Sequence, residues 1–126
     1  MLSGDVLFFF GDHREALPLY EVLTEQMEGL GDLSIRVQKT QITFSNRRNF
    51  AFVSFLPARK AKDRPKTYIT ITFGLGRRVD SPRIGIATEP YPGRWTHHVL
   101  ISSTEDIDGE LMGWIREAYN FSAGKR

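Results

Sequence analysis

The chain carries an apolar run at residues 6–10, and from Asp12 onward Ala16, Leu19, Tyr20, Leu23, Met27 and Leu30 recur every three or four residues. That spacing places them on one face of a helix and predicts the first major element. Asp12 can cap its start, and Gly29 and Gly31 suit its end. Pro18 removes a hydrogen bond and crowds the preceding turn, so the helix either kinks there or begins near Ala16. Between residues 34 and 101 the period falls to about two and β-branched and aromatic residues become frequent, the signature of strands. Strands are expected at 34–39, 41–44, 49–56, 67–73, 84–89 and 95–101, with a hairpin turn at 45–48 and exposed basic loops at 57–66 and 74–83. Ser102 and Ser103, followed by Glu105 and Asp106, signal a second helix start because hydroxyls and acids satisfy its free N–H groups. Ile107, Leu111, Trp114, Ile115, Ala118 and Tyr119 form the stripe of that helix, and residues 122–126 read as a frayed tail.

This order of elements predicts an α+β domain over residues 1–121. The expected architecture is a two-layer sandwich, a mainly antiparallel sheet of five or six strands with the N- and C-terminal helices packed on one face. Alternation points Ile69, Ile71 and Phe73 inward and Tyr68, Thr70 and Thr72 outward. Phe50, Phe52 and Ser54 share one side of their strand, and Ala51, Val53 and Phe55 the other. Both sides are apolar, which predicts a central strand.

A length of 126 residues, with 40% hydrophobic and 25% charged positions, fits one globular core and suggests neither disorder nor a fibrous repeat. There is no cysteine, which removes disulfides, thiolate metal sites and cysteine nucleophiles together. The run at 6–10 is far too short for a signal or membrane segment, so a cytoplasmic location and no membrane partner are expected. Asn120-Phe121-Ser122 matches a glycosylation pattern and is read as chance in that setting.

The net charge of +2 conceals a partition along the chain. Residues 1–33 carry seven acids and one base, residues 34–101 thirteen bases and three acids, and residues 102–126 five acids and three bases. Regional charges of −6, +10 and −2 make the middle distinctly basic. If the acidic helices cover one face of the sheet, the bases should gather on the other, making it the candidate binding surface.

Local motifs are weaker. Residues 48–55 resemble the RNP1 octamer of RNA-recognition motifs except at Asn49, where glycine is expected. In that family alternate aromatics stack on unpaired bases, and residues 7–11 could supply the companion strand. That fold needs a helix directly after the octamer, and 57–66 has two prolines and no apolar stripe, so a buried central strand is the preferred reading. Gly74-Leu75-Gly76 lacks the third glycine and the helix of a dinucleotide site. His97 and His98 are adjacent in a strand, leave opposite faces and cannot readily grip one metal ion. His97 shares its side with Trp95, Val99 and Ile101 and is expected to be partly buried, whereas His98 is the better functional candidate. Lys39, in alternation with Ile35 and Val37, would point inward and need either a carboxylate partner or a place at a ligand pocket. His13 is expected to be exposed.

Taken in order, residues 16–20, 37–44, 50–53, 80–83, 94–98 and 113–119 resemble a bacterial family, the domain of unknown function numbered fifty-six fifty-five. The Lys39-Thr40-x-Ile42-x-Phe44 and Arg94-Trp95-x-His97-His98 stretches are its most specific parts. The resemblance implies no established activity and carries over no catalytic residue. Some relatives carry the label "predicted transport protein" and some join the domain to nuclease-like segments. The family motif positions present here are Lys39, Thr40, Asp80, Ser81, Pro82, Arg83, Trp95, His97 and His98.

The leading expectation is a non-enzymatic binding module that holds an anionic ligand or an acidic partner, with Lys39, Arg47, Arg48, Arg77, Arg78, Arg83, Trp95 and His98 as candidate contacts. A second reading is single-stranded nucleic acid, with Phe50 and Phe52 as stacking platforms. A third is a hydrolase or transferase in which Lys39, His98 and Asp80 converge. No metal site and no cofactor are expected.

Overall fold

The computed structural model describes residues 3–123. Its first element is a helix, α1 (Gly4–Phe10), opened by the Ser3 hydroxyl, which accepts from the Val6 N–H at 3.3 Å. Gly11 closes it at φ 42°, a conformation that favours glycine and returns its N–H to the Leu7 carbonyl. The apolar run at 6–10 is therefore helical, burying Val6 and Phe10 while Phe8 stays 88% exposed, and the RNA-recognition reading loses its first strand. A 3-10 stretch (Gly11–Ala16) leads into α2 (Leu17–Glu28). Pro18 sits in the first turn of α2, where its missing N–H would have had no partner, so the helix starts there and is not kinked.

Six strands follow, β1 (Ser34–Val37), β2 (Ile42–Ser45), β3 (Asn49–Ser54), β4 (Ile69–Leu75), β5 (Ile86–Tyr91) and β6 (Arg94–Ile101). They form one sheet in the order β1-β2-β3-β4-β6-β5 with every neighbouring pair antiparallel. Pro90 is tolerated because β5 lies at an edge, where a missing N–H breaks no ladder. A second 3-10 turn (Thr104–Asp106) precedes α3 (Gly109–Ala123). Ser103 and Asp106 cap that turn reciprocally, and Asp108 Oδ1 accepts from the Leu111 N–H at 3.0 Å as α3 begins. Ser122 and Ala123, placed in a frayed tail on sequence, belong to α3, with Ser122 buried, and the remainder of that tail, 124–126, lies outside the described residues.

One face of the sheet carries Ile42, Phe44, Ala51, Val53, Ile69, Ile71, Phe73, Val99 and Ile101, all buried beneath α2 and α3. The result is the expected α+β sandwich with β3 and β4 at its centre. One side chain departs from strict alternation. Phe44 pairs with Ala51 and Ser45 with Asn49, which leaves Phe50 unpaired in a bulge. The extra residue turns Phe50 from the side of Phe52 into the core, where it meets Tyr119 of α3 edge-on at 5.2 Å.

The opposite face is partly roofed. The chain leaving β3 passes Thr70, whose hydroxyl donates to the Leu56 carbonyl at 2.5 Å, and reaches Gly85 beside β5. A Cβ on Gly85 would lie 2.5 Å from the Ala58 carbonyl, a backbone atom that cannot simply rotate away. Gly85→Ala is therefore expected to destabilise the domain by about 1–3 kcal/mol in chemical denaturation, the usual range for overpacking. The β4–β5 connection crosses the helix-covered face instead: Val79 is buried there and its N–H donates to His97 Nε2 at 2.9 Å.

Candidate functional site

Register decides which polar groups meet on the partly open face. Thr72 of β4 pairs with Phe52 of β3 on one side and with His98 of β6 on the other, so the three share that face. Thr72 Oγ1 lies 2.8 Å from His98 Nδ1, and His98 Nε2 has no hydrogen-bond partner among the described residues. Burial favours the neutral imidazole and pushes the His98 pKa below its ordinary value of 6.5. Thr72 thus fixes the ring while leaving one nitrogen free to donate or accept.

These side chains form the floor of a groove of about 700 Å³, within the range of small-molecule sites. The β1–β2 turn supplies Lys39, Thr40 and Gln41 along one wall. Phe9 of α1 and Phe55 stack at 5.3 Å and His13 lies over Phe55 at 4.2 Å, which makes the other wall aromatic. Lys39 does not point inward as its alternation with Val37 predicted, because β1 ends at Val37 and the turn carries Lys39 to the surface. It forms no ion pair among the described residues, so its ammonium is available at the groove.

The remaining candidates lie elsewhere. Arg47 and Arg48 are exposed in the β2–β3 turn, the end of that hairpin opposite the groove. Arg77 donates twice to the Glu117 carboxylate of α3, at 2.8 and 2.9 Å. Arg83 bonds Asp108, Glu110 and the Asp106 carbonyl and lies 5.8 Å over Trp114. Arg78 sits 5.7 Å over Trp95, away from the groove. Asp80 follows Val79 on the loop that crosses the helix-covered face, whereas His98 is on the other face. Lys39, His98 and Asp80 therefore do not converge. Phe50 is 1% exposed within the core, so the expected pair of stacking platforms is reduced to Phe52.

Sequence reasoning missed Phe9, Phe55 and Thr72 as parts of one site. The outward alternation of Thr72 was the usable signal for its place on the floor, whereas nothing local indicated that α1 would reach the end of β3. Among the described residues there is no group of three or more histidines and acids placed to hold a metal ion, and no helix long and apolar enough to cross a membrane.

Residues 8–122 match the family model described as "Domain of unknown function (DUF5655)". The chain belongs to this family. No curated protein and no solved structure matches it. Lys39 and His98, far apart in the chain and both within the matched residues, line the same groove.

Proposed function

We propose that this DUF5655 domain is a non-enzymatic binding module whose groove holds a small anionic molecule with a flat apolar body. The observation that carries the reading is the junction, in one concavity, of a lysine without an ion pair, a free histidine nitrogen and an aromatic wall. Lys39 supplies attraction to the anion, His98 Nε2 a directed hydrogen bond, and Phe9, Phe52 and Phe55 the surface for the apolar part. An acidic protein partner is the weaker reading, since Arg77 and Arg83 are already engaged by α3 carboxylates. Nucleic acid is disfavoured by the burial of Phe50. Catalysis is disfavoured because no carboxylate lines the groove beside His98. A cytoplasmic setting in a bacterium is part of the same proposal, and the cysteine-free sequence is compatible with it.

Phenyl phosphate and phenol, titrated into labelled protein and followed by NMR, form the test. Phenyl phosphate is expected to shift the Phe52, Thr72 and His98 resonances, phenol much less, and Lys39→Gln to weaken the phosphate about fivefold, the value of roughly one kcal/mol for an exposed charge contact. Equal response to both probes, or an unchanged affinity in Lys39→Gln, would remove the proposal.

A further inference from the structure

A second groove, of about 550 Å³, lies between the start of α1, the exposed face of α2 and β1, and the observations on it are independent of the first. Asp5, Glu21, Glu25 and Glu28 line it, and none of these carboxylates has an ion-pair partner among the described residues. Glu21, Glu25 and Glu28 follow one another at about one helical turn, so the row extends roughly 10 Å along α2. Neighbours of like charge at these spacings repel, and Glu28 stands at the helix C-terminus, where the backbone dipole also opposes a negative charge. The last turn of α2 contains no basic residue to offset either effect.

The floor of the groove supplies a separate indication. Tyr20 is only 3% exposed, packed between Phe10 and Phe44, yet it lines the groove and its hydroxyl has no hydrogen-bond partner among the described residues. Burial and the charge of Glu28 push its pKa up to about 12, so the phenol stays protonated and keeps an oxygen lone pair for a donor from outside. The ring is buried but the oxygen is not enclosed, so a donor lying in the groove can reach it. Ile35 and Val37 of β1 add an apolar wall.

We infer that this groove binds a linear oligoamine, a chain of methylenes bearing ammonium groups about one helical turn apart. A metal ion is the weaker reading, since the described residues include no group of three or more histidines and acids placed to hold one. Separated carboxylates suit separated positive charges, the apolar wall suits methylenes between them, and the Tyr20 hydroxyl can accept from an N–H donor. An amine chain carries all three.

Spermidine is the probe, with Mg²⁺ at matched ionic strength as the control, read by isothermal titration and by thermal shift at low salt. Saturable one-site binding and a rise in melting temperature that Mg²⁺ does not reproduce are expected. Tyr20→Phe keeps the core ring and should weaken spermidine about tenfold, near the value of one hydrogen bond to a charged group. The combined Glu21→Gln, Glu25→Gln and Glu28→Gln protein should abolish the binding while melting higher than the parent in the absence of spermidine, because the repulsion along α2 is gone. A shift equalled by Mg²⁺, binding that survives the triple substitution, or an affinity unchanged by Tyr20→Phe overturns the inference.

Discussion

Phe50→Ala is expected to cost about 3–5 kcal/mol of folding stability, the range for emptying a buried aromatic position, whereas Phe52→Ala should cost only about 1 kcal/mol as a change at a half-buried surface site. Urea denaturation of the two variants measures the difference directly. Both are phenylalanines in the same strand, two residues apart, and a regular strand would put them on the same face. The bulge opposite Phe44 and Ser45 separates them, sending Phe50 against Tyr119 and leaving Phe52 on the groove floor. The binding consequences divide the same way. Phe52→Ala should lose phenyl phosphate affinity at nearly full stability, while Phe50→Ala should fold less well and bind normally in the fraction that remains folded. Similar stabilities for the two variants would mean that Phe50 does not occupy the core.

The same bulge shows what was legible in the sequence. Apolar periodicity is a property of long segments and survives local irregularity, so it located both major helices, all six strands and the core face of β4. A single inserted residue leaves no trace in that pattern, because Phe is equally at home on either side of a central strand. The seven residues of α1 were missed for a related reason: they are too few to display a helical repeat and too apolar to be told from a strand. Lys39 was misplaced because alternation was carried beyond the last residue of β1.

Charge was legible as a sum and not as a surface. The excess of +10 in the middle of the sequence suggested one basic face, since strands and their loops were expected to lie opposite the acidic helices. Three of those arginines, Arg77, Arg78 and Arg83, instead belong to the β4–β5 connection, which crosses the sheet on the helix side. There Arg77 and Arg83 meet Glu117, Asp108 and Glu110. Tertiary pairing thus consumes charge that a linear count treats as free, and Lys39, which lines the groove, lies outside those pairs. Asp80, carried by the same connection, is not among the residues that line the groove with His98.

That connection is held by His97, and its stability should follow pH. The side chain is fully buried against Phe73, with ring centroids 5.2 Å apart, and Nε2 accepts from the Val79 N–H at 2.9 Å, so the neutral ring carries its proton on Nδ1. Burial lowers the His97 pKa below the ordinary 6.5, the Phe73 carbonyl opposes this without completing a hydrogen bond to Nδ1, Arg77 and His98 lower it further, and Glu117 raises it. A second proton would have to enter at Nε2, where it would face the Val79 N–H and break the one hydrogen bond that the ring makes among the described residues. The unfolded chain takes up that proton once the pH falls below 6.5, and the folded chain does so only at lower pH. Stability from His97 is therefore fully present above pH 6.5 and is lost as the pH drops towards the depressed folded value. His98, shifted in the same direction by burial, adds to the slope. Urea midpoints between pH 7.5 and about 5 should decline, more gently in His97→Gln, whose amide oxygen can still accept from Val79 but does not titrate. His97→Ala leaves that N–H unpaired and a cavity beside Phe73, and should lose about 2–4 kcal/mol at neutral pH. A parent protein whose midpoint is flat across this range, or a His97→Gln variant with the full parental slope, would show that the β4–β5 connection is held by its arginine ion pairs and not by the histidine.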